Sequence, residues 1–175
     1  MSARLIWIPF AVALGLLALA AWGLYQPADR TVRSALVGQT LPAFDLPPIV
    51  PSKPGLATAQ FATGKPRLLN IFASWCIPCV AEAPQLLRLK QAGVVIDAVA
   101  IRDTPAAIRD FLARNGDPYA AIGDDKTSSL QLALGSSGVP ETFVIDGRGR
   151  IVQQHVGDIR EDEVPGLIAL VRGLK

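Results

Sequence analysis

The chain has 175 residues, half of them apolar, with 17 basic and 15 acidic side chains, one histidine and two cysteines. A formal charge of +2 is too small for a nucleic-acid footprint, one histidine excludes a multi-histidine metal site, and two cysteines exclude a disulfide-rich mini-protein. The 14 prolines and 15 glycines are dispersed, so the chain is not of low complexity, and its length fits one domain with an appendage.

The apolar excess is concentrated at the start. The 21 residues from Leu5 to Tyr25 carry no charged side chain. As a helix they span about 30 Å, the thickness of a bilayer core. Trp7 lies near one end and Trp22 and Tyr25 near the other, where interfacial aromatics belong. An uncleaved single-pass anchor is the expectation. A cleaved signal peptide is the alternative, since Ala18-Leu19-Ala20 offers a small-x-small site, although signal cores are usually shorter. Arg4 on one side and Arg30 and Arg33 on the other leave the orientation open. The chain thus divides into a membrane anchor (1–25), a polar tether (26–36) and a folded domain (37–175).

Five prolines between Pro42 and Pro54 mark extended, edge-like chain, with a short strand around Phe44 and Leu46. Leu68 to Ala73 reads as a buried strand, Pro78 to Gln91 as a helix closed by Gly93, and Val94 to Ile101 as a second buried strand. Thr104 and Pro105 open a helix that Gly116 ends, with Ile108, Phe111 and Leu112 as its apolar face. Tyr119 to Ile122 is expected as a short strand and Lys126 to Leu134 as a helix. Thr142 to Ile145 and Ile151 to His155 form a hairpin about Asp146-Gly147-Arg148-Gly149. Asp158 and Glu161 are placed to form a capping box for a last helix, whose Val164, Leu167, Ile168 and Val171 make a core-facing stripe. This order predicts an α/β domain with a mixed sheet.

Ser74-Trp75-Cys76-Ile77-Pro78-Cys79 lies where the first strong strand gives way to a helix. Free N–H groups and the helix dipole favour an anion there, so a thiolate at Cys76 is stabilised, and the thiolate is the reactive form. Pro78 suits the first turn. Cys79 lies one turn on, placed to resolve a mixed disulfide at Cys76, so Cys76 is expected as the exposed nucleophile and Cys79 as the buried resolving thiol. A bridge this short restrains little unfolded-chain entropy, so the pair calls for a chemical role. A zinc site would need two more ligands, and only His155 and carboxylates remain; a copper site of two thiols and one histidine stays open on ligand count.

Trp75-Cys76-x-Pro78-Cys79 between strand and helix resembles the active-site signature of the thioredoxin superfamily. Pro84 matches the proline that kinks its active-site helix. Val139-Pro140 matches its cis-proline loop, where the preceding residue offers backbone groups to an extended substrate. Gly138-Val139-Pro140-Glu141-Thr142-Phe143, Cys79-Val80-Ala81-Glu82, Gly116-Asp117-Pro118-Tyr119 and His155-Val156-Gly157-Asp158 together resemble the DsbE/CcmG family, membrane-anchored periplasmic thiol–disulfide proteins of cytochrome c maturation. The resemblance covers roughly residues 37 to 160. It implies a thioredoxin-like mixed sheet flanked by helices, an inserted αβ element at about Thr104 to Ile122, and a redox-active Cys76–Cys79 disulfide working without cofactor or metal. It further implies a single-pass protein of the cell inner membrane with its domain in the periplasm. Its partners would be apocytochrome c, the haem-ligation machinery and a membrane thiol reductant of the DsbD/CcdA type.

Around the cysteines, the resemblance makes Glu82 an acidic modulator of the thiols; a solvated first-turn acid is the plainer account. Glu141 either shapes an acidic groove or contacts partners, or is an exposed strand-edge residue. Trp75 shapes the substrate surface or fills core. Asn70 stands where thioredoxin carries a buried aspartate. It cannot titrate, so proton transfer falls to Glu82 or is absent, and Asn70 makes buried hydrogen bonds. His155 reads as a strand or surface residue, and Asp97 as a polar group at the sheet margin without a function. A dithiol oxidase is disfavoured by Glu82. A peroxiredoxin is disfavoured by Ala73, which stands where that chemistry needs threonine. The alternatives to apocytochrome reduction are a general thioredoxin-like reductase with other clients, and a non-enzymatic assembly or copper-chaperone module.

Overall fold

Two strongly apolar runs of the domain pair with each other, and the remaining strands are added outward from them. The structure, a computed structural model, describes residues 4–25 and 34–174. In the first of these segments, α1 (Arg4–Tyr25) is one continuous helix. Trp7 to Tyr25 is the one stretch among the described residues long and apolar enough to cross a membrane, a test that a signal segment also passes. Of the segment expected as a tether, 26–33 lie outside the described residues. Ser34 is already packed on the domain, its N–H donating to Gln154 Oε1 (2.6 Å) and its hydroxyl to the Leu134 carbonyl (2.5 Å).

In the domain, β3 (Arg67–Phe72) and β4 (Ile96–Ile101) run parallel at the centre, with Asn70 opposite Ala98. β5 (Ile122–Asp125) extends the parallel side, while β6 (Glu141–Ile145) and β7 (Ile151–Val156) form the antiparallel side, giving the order β5-β4-β3-β6-β7. This is the expected thioredoxin-like mixed sheet. The register sets Asn70, Thr142 and His155 side by side across three strands. α2 (Ile77–Gln91) buries Cys79, Ala83, Leu86 and Leu89. α3 (Pro105–Asn115), capped by the Thr104 hydroxyl, packs Phe111 against Phe72 at 5.5 Å. α5 (Val164–Gly173) buries Val164, Leu167 and Val171, the expected stripe.

The proline-rich segment has a clear task. β1 (Asp45–Leu46) and β2 (Leu56–Ala57) form a small hairpin, and the chain between them covers the free edge of β5. The Asp124 N–H donates to the Pro47 carbonyl (2.9 Å) and the Ile122 N–H to the Pro54 carbonyl (3.1 Å), so that edge offers no template for another chain. A Cβ at Gly123 would meet the Leu46 Cβ at 2.8 Å, so only glycine lets the hairpin lie this close.

Three expected elements differ. The strand expected at Tyr119–Ile122 begins only at Ile122 and runs through Asp124 and Asp125, because the Tyr119 side chain turns into the interior. The helix expected over 126–134 is only α4 (Ser129–Ala133), since Ser128 adopts a left-handed φ of 59° that a helix cannot continue through. Asp125 rather than a helix-adjacent residue then caps it, accepting from Ser129 N, Leu130 N and Gln131 N at 2.8–3.0 Å and from the Ser129 hydroxyl. The Asp158/Glu161 capping box does not form. Ile159 is pulled into the core, and a 3-10 turn at Glu161–Glu163 precedes α5, with the Glu163 carboxylate accepting from Arg160 N at 2.7 Å.

Asp125→Ala leaves three backbone donors at the start of α4 without an acceptor, and it is expected to cost about 2–3 kcal/mol in urea unfolding. Asp125→Asn should cost less.

Candidate active site

The sequence Ala73-Ser74-Trp75 leaves β3 in a tight turn that delivers Cys76 to the first position before α2. The Cys76 N–H donates to the Ala73 carbonyl (3.2 Å), and the Cys76 Sγ accepts from the Cys79 N–H (3.2 Å), so the sulfur itself caps the helix. Cys76 and Cys79 are joined in a disulfide across a Cα separation of 5.3 Å. Contrary to expectation Cys76 is not exposed in this oxidised state. It keeps 4% of its surface against 1% for Cys79, so it is still the more accessible of the two. Pro78 lies in the first turn, without an N–H to satisfy, and Pro84 lies inside the helix.

A residue that sequence reasoning missed holds this turn in place. The Asp103 carboxylate accepts from Ser74 N (2.6 Å), the Ser74 hydroxyl (2.9 Å) and Thr104 N (2.8 Å), tying the approach to Cys76 to the start of α3. The signal available in the sequence was an aspartate directly before a helix cap. The indole N–H of Trp75 donates to the Arg102 carbonyl at 3.4 Å, and Arg102 has a left-handed φ of 47°. Trp75 is 58% exposed and Ile77 83% exposed, so Trp75 is surface and not core filling. Trp75, Arg102, Leu132, Ser137 and Val139 line a groove of about 290 Å³ beside the disulfide. The Val139–Pro140 bond at its edge is cis, as the resemblance implied.

Glu82 and Glu141, both near this end of the sheet, are buried, and they are held differently. Glu141 is fully buried and not an exposed strand-edge residue. Its Oε2 accepts from the Ser136 hydroxyl (3.0 Å) and Ser137 N (3.0 Å), and its Oε1 from Gln154 Nε2 (2.5 Å). These bonds fasten the loop that carries Pro140 to β7. Glu82, one turn beyond Cys79, is also fully buried, which overturns the solvated first-turn account. Its Oε1 accepts from Asn70 Nδ2 (3.0 Å) and its Oε2 from Ile159 N (3.2 Å). Burial raises its pKa from 4.5 to about 7; the bonds from Asn70 and Ile159 pull it down, and the charge of Asp158 pushes it up. A carboxyl group that titrates near neutrality is suited to take and return a proton.

Asn70 is fully hydrogen-bonded: its Nδ2 also donates to Thr142 Oγ1 (3.0 Å), and its Oδ1 accepts from the Tyr119 hydroxyl (3.0 Å). Tyr119 too was missed as a member of the site, although it ends the Gly116-Asp117-Pro118-Tyr119 motif. The buried Asp97 pairs with Arg67 at 2.7 Å; burial raises its pKa while the Arg67 charge lowers it. His155 Nε2 lies 3.3 Å from the Asp158 carbonyl and 3.7 Å from Glu163. Among the described residues no three histidine, cysteine or acidic side chains are grouped to hold a metal ion.

Comparison with known proteins agrees with this geometry. The redoxin family model matches residues 36–170. The thiol:disulfide interchange protein HelX of Rhodobacter capsulatus is 38% identical over 164 residues, covering 94% of this chain and 93% of that protein. The thiol:disulfide interchange protein DsbE of Escherichia coli is 34% identical over 177 residues, covering 95% of each. In fold the chain is similar to a putative DsbE of Chlorobium tepidum (TM-score 0.61, 24% identity, 82% of this chain and 98% of that one). It is also similar to a secreted thiol-disulfide isomerase of Corynebacterium glutamicum (TM-score 0.65, 20% identity, 85% and 96%).

Because the folded-state pKa of Glu82 lies above its unfolded value of 4.5, the native state binds the extra proton between pH 4.5 and about 7. The contribution of Glu82 to stability therefore falls as pH rises through that window, by up to about 3 kcal/mol. Urea titrations at pH 4.5, 6 and 7.5 should show this slope in the wild type and a flatter one in Glu82→Gln; equal slopes would refute the assignment.

Proposed function

Since the chain belongs to the redoxin family, as a thiol:disulfide interchange protein of the DsbE/HelX type, we propose that its cysteine couple reduces disulfides of apocytochrome c during cytochrome c maturation. The observation that carries the reading is the placement of Cys76 as the cap of α2, with the proton-binding Glu82 buried one turn beyond Cys79.

In the reduced protein the helix N-terminus favours the Cys76 thiolate. That thiolate attacks one sulfur of the client disulfide, the client bond breaks, and one client thiolate leaves. The Cys79 thiol gives its proton to Glu82 and the resulting thiolate attacks the Cys76 sulfur. The Cys76–client bond breaks, the Cys76–Cys79 disulfide closes, and the second client sulfur leaves as a thiolate that takes up a proton from Glu82 or water. Two electrons have then passed to the client. An ionised Glu82 raises the thiol pKa of the neighbouring cysteine and makes the couple more reducing. The exposed Trp75 and Ile77 and the groove along Val139 give an extended client chain an apolar surface and backbone groups to lie against. The electrons return from a membrane dithiol reductant of the DsbD/CcdA type. The haem-ligation machinery receives the reduced client.

In this reading α1 is a retained single-pass anchor in the inner membrane and the domain works in the periplasm. The length and apolar character of α1 support it.

Cys79→Ala removes the resolving thiol and should trap mixed disulfides at Cys76, among them apocytochrome c or a haem-ligation protein, and the membrane reductant. Disulfide reduction by the wild-type protein, with none of these captured by the variant, would refute the maturation role and leave a general reductase. Full-length protein should stay in the membrane pellet after alkaline carbonate extraction; release of a shortened chain would identify a cleaved signal.

A further inference from the structure

The inserted element brings one group to the redox centre from outside the cysteine helix. Tyr119 follows α3, and its turn is braced on all sides. Asp117 Oδ1 accepts from Tyr119 N (3.1 Å), Lys53 Nζ bridges Asp117 Oδ2 (2.7 Å) and the Tyr119 carbonyl (2.5 Å), and Lys90 Nζ donates to the Asp117 carbonyl (2.7 Å). The ring packs on Phe72 at a centroid distance of 4.9 Å, and its hydroxyl ends 3.0 Å from Asn70 Oδ1. Tyr119, Asn70, Glu82 and Thr142 are all buried.

We propose that Tyr119 is a positioning residue for the proton acceptor: its hydroxyl, donating to Asn70 Oδ1, holds the amide with its N–H on Glu82 and thereby favours the ionised carboxylate. This rests on Glu82 as the acceptor of the Cys79 proton. An amide turned by 180° would set Oδ1 against the carboxylate oxygen. A donor at the Oδ1 corner satisfies the unturned amide; without it a buried carbonyl oxygen is left unpartnered. Either response, an unpaired oxygen or a turned amide, weakens the bond to the ionised Glu82. Burial keeps the Tyr119 hydroxyl protonated, and so able to donate, well past neutral pH. The charged groups that bear on this chain are Asp158 on Glu82, and Glu82 and Asp117 on Tyr119.

The test follows the pH dependence of the resolving step, read as release of the second peptide thiol in single-turnover reduction of an oxidised Cys-x-x-Cys-His peptide by the full-length protein in detergent, because formation of the mixed disulfide titrates with the Cys76 thiol itself. The limb that rises with pH should move upward by roughly half a pH unit or more in Tyr119→Phe, a loss of about threefold on the lower part of the limb. Asn70→Leu should move it in the same direction. Glu82→Gln should abolish the limb, and adding Tyr119→Phe to Glu82→Gln should change nothing further. If Glu82→Gln leaves the limb in place, the acceptor role of Glu82 fails and this inference with it. If Glu82→Gln abolishes it but both Tyr119→Phe and Asn70→Leu keep the wild-type midpoint, or if Tyr119→Phe shifts the profile equally in the Glu82→Gln background, the positioning role of Tyr119 alone is refuted.

Discussion

The burial of one carboxylate, Glu82, on the inward face of the cysteine helix is the constraint around which this domain is organised. A carboxyl group taken from water must be hydrogen-bonded or neutral. Here it has two donors, and they come from distant parts of the chain: the Asn70 amide in β3 and the Ile159 N–H after β7. Asn70 in turn needs Thr142 in β6 and Tyr119 from beyond α3. Four separate stretches of chain therefore meet over the turn that follows Cys79. The arrangement is incompletely compensated, so the group is held near the point where it gains or loses a proton at neutral pH.

Another buried carboxylate shows the contrast. Glu141 receives hydrogen bonds from the Ser136 hydroxyl and the Ser137 N–H in the loop it supports, and from Gln154 in β7. Its role follows from those bonds: it fixes the cis-proline loop against β7 and thereby one wall of the groove beside the disulfide. Two glutamates at one end of one sheet are thus held differently: Glu82 by donors from β3 and from the chain after β7, Glu141 by donors from the cis-proline loop and from β7.

Much of this was legible in the residues. The buried runs Leu68–Ala73 and Val94–Ile101 announce the central strands, Thr104, Pro105 and Gly116 bound α3, and the cysteine spacing at a strand–helix junction points to thiol chemistry. What the pattern hid was polar. β5 contains two aspartates, which read as loop until Asp125 is seen capping α4 and the Asp124 N–H is seen paired to the proline-rich segment. Ser128 carries no sequence mark of its left-handed backbone. Glu82 and Glu141 look solvated in a linear reading because their donors are 12 and 77 positions away for Glu82, and 13 for one donor of Glu141. Apolar periodicity reports burial of carbon; it carries no information on where a distant N–H will stand.

The clamp of Asp103 on Ser74 has a thermodynamic consequence. The turn before Cys76 is fixed by three hydrogen bonds that do not involve the sulfur–sulfur bond: two to Asp103, and that from Cys76 N to the Ala73 carbonyl. Opening the disulfide therefore does not release the turn. In a closed cycle of folding and reduction, the poise of the couple relative to an unfolded peptide equals the difference in stability between its two folded forms. A scaffold that stands unaided in both forms leaves that difference to the thiolate's surroundings, so the poise of this couple can be reset by a single neighbouring side chain without remaking the fold.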